Sequence, residues 1–152
     1  MSRKPLLVVA ILAVGVSLAS VAPALADQVF HTSHATVYSM AGAPLQSGFV
    51  NDIHSNGAVN SAHEEYHLSG AQPGTTYQVQ LVIFASQSCQ GTPFLTIPTA
   101  LVTTNGAGNG NADATFPAGP PNNPPLQVGI VWQFVSNGEP VYTTDCVPVA
   151  ID

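Results

Sequence analysis

His63-Glu64-Glu65-Tyr66-His67 is the segment whose residue types and spacing could most directly do chemistry. It is a formal H-E-x-x-H, in which two imidazoles hold Zn²⁺ and Glu64 serves as general base of a zinc-dependent hydrolase. Gly70 stands where the longer metalloprotease pattern H-E-x-x-H-x-x-G-x-x-H has its glycine, and Pro73 stands where that pattern needs its third histidine. Geometry decides between readings. On a helix, residues four apart lie about 6 Å from each other along the axis and can share one ion. On a strand the same spacing is about 13 Å, too far for one ion. His63, Glu65 and His67 then share one face, and Glu64, Tyr66 and Leu68 share the other. Glu64 and Glu65 on opposite faces make a poor acid–base pair.

Four further constellations bear on function. The five histidines are His31, His34, His54, His63 and His67. Strands at about 29–38 and 58–68 that pair or face each other would bring His63 and His67 near His31 or His34, around Glu65. That cluster would suit a surface Zn²⁺ or Cu²⁺, or a patch that responds to pH; no other cofactor is expected. Asn109, Asn111 and Asp113 have the alternate spacing of oxygen ligands in a Ca²⁺ loop, with only one carboxylate among them. Phe49, Phe94 and Tyr142 are the aromatic residues to inspect for a carbohydrate platform. Cys89 and Cys146 are the two cysteines, and in an oxidising compartment they pair as a structural staple. Closing that loop is worth about 4 kcal/mol on the chain-entropy model. No G-x-S-x-G elbow, phosphate-cradling loop or dinucleotide fingerprint occurs.

The elements that must position these residues are strands. Residues 1–26 read as a cleaved signal peptide: Arg3-Lys4, an apolar run from Leu6 to Leu18, and Ala24-Leu25-Ala26 at the cleavage site. Release into an extracellular compartment follows, leaving one domain at 27–152. In Thr76–Ala85, Tyr77, Val79, Leu81 and Ile83 alternate with less apolar residues; in Leu126–Val135, Leu126, Val128, Ile130, Trp132 and Phe134 do the same. Period two marks a half-buried strand. With further strands at about 29–38, 58–68, 95–104, 111–116 and 140–149, the count is seven, which argues for an all-β sandwich. Four Asn-Gly pairs, at 56, 105, 109 and 137, supply turn chemistry. A two-residue turn at Asn137-Gly138 would place Asp145 on the face of Trp132. A bulge would instead bring Tyr142 and Cys146 there, the arrangement that leaves Asp145 in water.

Leu68-Ser69-Gly70-Ala71-Gln72-Pro73-Gly74-Thr75-Thr76-Tyr77-Gln78-Val79 resembles the L-x-G-L-x-P-G-T-x-Y-x-V corner of fibronectin type III and related immunoglobulin-like domains. The resemblance implies a seven-stranded immunoglobulin-like sandwich, as in many secreted bacterial modules. Pro73-Gly74 would be the turn, and Tyr77 a corner tyrosine whose hydroxyl bonds local backbone. More of the chain follows this corner than in a type III domain, so the implied strand order differs. It implies a structural or binding role and carries no catalytic residue.

Composition narrows the partners. Arg3 and Lys4 are the only basic side chains, so the chain from Asp27 onward has no Lys or Arg against eight carboxylates. That excludes phosphate clamps, Schiff-base lysines and electrostatic docking on nucleic acid or an anionic membrane. The expectation is a non-enzymatic structural or binding module, whose partner would be another extracellular protein or a glycan; the alternatives are a zinc-dependent hydrolase using His63, Glu64 and His67, or a metal- or carbohydrate-binding module. Reduced and denatured protein beginning at Asp27 is expected to survive trypsin intact; a tryptic fragment in the mass spectrum would refute the boundary or reveal a modified chain.

Overall fold

The structure, a computed structural model, describes residues 30–40, 42–55, 60–119, 124 and 126–151. The expected signal peptide at 1–26 and the Asn56-Gly57 pair lie outside them. Among the described residues there is no helix. Nine strands run in order: β1 (Phe30–Ser39), β2 (Ser47–Ser55), β3 (Asn60–Ser69), β4 (Thr76–Phe84), β5 (Leu95–Thr103), β6 (Gly110–Gly119), β7 (Leu126–Ser136), β8 (Glu139–Thr144) and β9 (Val147–Ile151). All pairings are antiparallel, along the path β5-β4-β7-β8-β1-β2-β3-β6, with β9 also on β7. The path folds into two facing layers because β1 changes partner midway. Residues 30–36 pair with β2, and residues 37–39 pair with β8. The two ends of the path, β5 and β6, come together, so the fold is nearly closed.

The expected seven strands are thus nine, for two physical reasons. β2 carries Asn51, Asp52 and His54, and Asn and Asp are depleted in strands, so no apolar alternation announces it. The expected strand at 140–149 is two, because β7 is long enough to serve two partners. Its first half (126–130) holds β9 and its second half (133–136) holds β8. At the break, the backbone N–H of Trp132 donates to Thr144 Oγ1 at 3.1 Å, which replaces the missing ladder bond.

The apolar rows meet between the layers. Trp132, Tyr66, Tyr77, Tyr142, Phe134, Val50, Val79, Val102 and Val128 are fully buried. Phe134 stands edge-on to both Tyr66 and Tyr142, the arrangement aromatic quadrupoles favour. The β7–β8 hairpin resolves its register through a bulge. Asn137 and Gly138 take φ of +53° and +83° in a two-residue turn, and the register then shifts between Phe134 and Val135. Tyr142 lands opposite Phe134 inside the core while Asp145 stays in water. Cys146 is half-buried rather than part of that row.

At the corner, Pro73-Gly74 makes the turn between β3 and β4. The tyrosine chemistry differs from the expectation. Tyr77's hydroxyl meets Tyr142's at 3.3 Å, and it is Tyr142 that reaches backbone, donating to the Pro44 carbonyl at 2.8 Å and accepting from Gln72 N–H at 3.4 Å.

Cys89 and Cys146 form the disulfide, fastening the β4–β5 connection to the start of β9. Directly beneath it, β7 carries Gly129, where an added Cβ would press on the Ser86 carbonyl and lie 2.7 Å from Cys89 Sγ. A glycine inside a strand marks such a close approach. Gly129→Ala is expected to cost about 1–3 kcal/mol in urea denaturation. Gly106→Ala, with nothing within 4 Å of its new methyl, should stay within about 0.5 kcal/mol; equal effects would refute the contact.

Candidate functional site

β3 is a strand, and this decides the fate of the H-E-x-x-H segment. Glu64, Tyr66 and Leu68 are buried, while His63, Glu65 and His67 stand on the outer face. His63 and His67 are therefore about 13 Å apart along the strand, and Glu64 is on the opposite side of the sheet. The helical geometry that this zinc chemistry requires does not exist here.

The outer face brings some of the expected metal ligands into rows without converging them. Across β1, β2, β3 and β6 the register aligns His34, Asn51, Glu65 and Asp113. His34 Nδ1 lies 2.8 Å from Asn51 Oδ1, and Asn51 Nδ2 donates to Glu65 at 3.1 Å. An amide thus stands between the imidazole and the carboxylate. Phe49 occupies the next row, stacked on His67 at 4.4 Å and tilted against His34 at 5.1 Å. His63 Nδ1 sits 3.1 Å from Thr115 Oγ1. His31 pairs with His54 in the β1–β2 ladder; its side chain lies outside the described residues. Among the described residues no three His, Cys, Asp or Glu side chains are placed to hold a metal ion.

The other candidates also separate. Asn109 Oδ1 accepts from the Gly70 backbone N–H at 3.3 Å, while Asn111 and Asp113 project from β6, so the three do not wrap a Ca²⁺ loop. Of the three aromatic residues, Tyr142 is fully buried, Phe49 is held between imidazoles, and Phe94 is exposed away from them. No flat platform forms from them.

The chemistry lies inside instead. At the end of the sandwich where β2, β4 and β6 finish and β3, β5 and β7 begin, a cavity of about 290 Å³ opens between the layers. Leu81, Ile83, Ile97, Ile130, Val149 and Ile151 supply most of its wall, and Asp52, His54 and Glu64 its polar part. Asp52 and Glu64 are direct register partners on β2 and β3, and only 4% and 2% exposed. His54, two residues along the same inward row, brings Nδ1 to 3.5 Å from the Asp52 carboxylate.

Glu64 has two uncharged neighbours, Tyr66 and Trp132. The Tyr66 hydroxyl donates to it in a short hydrogen bond, and Thr99 Oγ1 lies 2.8 Å from that hydroxyl. Burial and the adjacent Glu64 push the Tyr66 phenol far above its ordinary range, so it stays a donor. Trp132 Nε1, fully buried, meets hydrogen-bond geometry with no group yet acts on Glu64 as a nearby dipole. Burial is the larger force: it pushes the Glu64 carboxyl up to about 7 against these donors, with Asp52 adding to the rise. Asp52 is raised too, by burial, with His54 pulling the other way.

Asp52 and His54 escape a motif search because they belong to the strand that composition hides. The signal that could have found them is the alternation Val50, Asp52, His54, matched to the inward row Glu64, Tyr66, Leu68. Compared with protein-family models, with curated proteins and with solved structures, the chain matches none. Its class therefore rests on geometry: a sandwich-like, nearly closed antiparallel β fold with one disulfide and an inter-layer cavity holding two buried acids.

Stability should report this burial. Below about pH 4.5, Glu64 is protonated in both the folded and unfolded states. Between 4.5 and 7 only the unfolded chain releases the proton, so stability falls as pH rises and levels off above 7. At about 1.4 kcal/mol per pH unit the loss comes to roughly 3–4 kcal/mol. Relative to wild type, Glu64→Gln is expected to gain stability by up to about that amount between pH 4.5 and pH 8. Urea melts at the two pH values read this directly, and an unchanged difference between the two proteins would refute it.

Proposed function

We propose that this protein is a secreted, non-enzymatic binding module of the immunoglobulin-like sandwich type, which takes a small ligand into the cavity between its layers. The observation that carries this reading is the cavity, apolar on every strand except at Asp52, His54 and Glu64. Interiors are close-packed, and an unfilled space forfeits contact energy. An apolar pocket with a few converging polar groups of perturbed acidity is the usual form of a ligand site.

Export is supported by the signal-like residues 1–26 and by the disulfide, which suits an oxidising compartment. The non-enzymatic reading is favoured over a zinc hydrolase by the separation of Glu64 from both flanking imidazoles. Without Lys or Arg after residue 4, nucleic acid and anionic membrane are poor partners.

Methyl-resolved NMR of the protein beginning at Asp27 tests the reading with small cationic, neutral and anionic aromatic compounds. Saturable shifts are expected at Leu81, Ile83, Ile97, Ile130 and Val149, and not at exposed Leu101. Ala62→Phe, which fills the cavity from β3, should abolish them. A full set of compounds that leaves those methyls unmoved would end the proposal.

A further inference from the structure

Resting on that reading, we infer that the cavity recognises a ligand with a positively charged amino group on an apolar body, the ammonium seated between Asp52 and Glu64. Three observations lead there. First, the two acids are direct register partners on β2 and β3, both turned inward and almost wholly buried. Second, no Lys or Arg among the described residues can neutralise them; the one imidazole in the cavity, His54, lies beside Asp52. Third, the groups of the protein that act on Glu64 as donors, the Tyr66 hydroxyl and the Trp132 indole N–H, are uncharged and neither lines the cavity, so apart from His54 the cavity side presents no cation to the acids. Packing alone would be better served by apolar residues at 52 and 64, because buried acids without cationic partners weaken a fold.

The cavity's shape defines the rest of the ligand. Leu81, Ile83, Ile97, Ile130, Val149 and Ile151 offer nothing to a polar body, so they suit a hydrocarbon or aromatic portion. A metal ion is the poorer occupant, since Asp52, His54 and Glu64 do not converge as ligands. An anionic ligand would meet like charge.

Proton linkage follows from the same geometry. The titratable groups facing Glu64 are Asp52 and His54 from β2 and Tyr66 from its own strand. β4, β5, β6, β7 and β9 line the cavity with uncharged residues only. An ammonium favours the ionised acids, so binding should weaken as pH falls.

Calorimetry with benzylamine and its neutral analogue benzyl alcohol, on the protein beginning at Asp27, tests the inference. At pH 8 benzylamine is expected to bind at least ten-fold tighter than benzyl alcohol, with the preference shrinking at pH 5.5. Glu64→Gln, which keeps an acceptor for Tyr66, and Asp52→Asn should each lose most of that preference while still binding benzyl alcohol. Equal binding of the two compounds overturns the amine inference and leaves the cavity as a ligand site. An amine preference unchanged in both variants places the amine on the acidic exterior and overturns it as well. Binding of neither compound, with the cavity methyls unmoved, removes the inference together with the proposed function.

Discussion

A fold with no lysine or arginine among its described residues must accommodate its buried acids without their ion pairs, and this constraint shapes both its interior and its site. Glu64 is held by the Tyr66 hydroxyl, with Thr99 behind it and the Trp132 dipole alongside; Asp52 has the imidazole of His54. Such neighbours solvate a carboxyl less well than water does, so both groups are pushed toward the protonated form. The cost is tolerable because it is confined to one end of the sandwich. At the other end, the buried tyrosines Tyr77 and Tyr142 meet the backbone of Pro44 and Gln72 in a hydroxyl network in which no charge is present.

Much of this architecture could be read from periodicity. The rows of β4 and β7 follow directly from the alternation of Tyr77, Val79, Leu81 and Ile83 with Val128, Ile130, Trp132 and Phe134. The division of His63-Glu64-Glu65-Tyr66-His67 between two faces came from the same rule, and so did the bulge that buries Tyr142 and leaves Asp145 outside. Period two reports faces; it does not report partners. That is why β2 was hidden: its inward row is Val50, Asp52, His54, a sequence that looks like a loop until Glu64 is found opposite. The site was illegible for the same reason that the strand was. A residue that is polar and inward defeats a search for apolar alternation, yet such residues are what make a cavity selective.

The outer face shows how sequence clustering and spatial convergence differ. Histidines close in sequence end up on three adjacent strands, and the register interleaves Asn51 and Phe49 between them. Each imidazole with a described outer-face contact is already engaged, by an amide, a hydroxyl or an aromatic ring. Such contacts order the surface while keeping the nitrogens from a common point. A strand spaces residues four apart, as His63 and His67 are, too widely to chelate one ion. A metal site here would need ligands at one height on neighbouring strands, and those heights are occupied by Asn51 and Phe49.

The disulfide is best understood through β9. This strand is five residues long, and its one ladder among the described residues is to the first half of β7. A short strand paired on one side is held weakly by hydrogen bonds alone. Val149 and Ile151 nevertheless form part of the cavity wall, so a frayed β9 would remove part of that wall. Cys146 immediately precedes β9, and its bond to Cys89 ties that strand to the end of β4, where Ile83 contributes to the same wall. Gly129 permits this by leaving room for Cys89 Sγ against β7. The cross-link therefore stabilises more than the chain as a whole: it fixes the spacing of the walls around Asp52 and Glu64. Burial between those layers is what raises the Glu64 carboxyl to about 7, so a cross-link that fixes the layers also supports the acidity of the site.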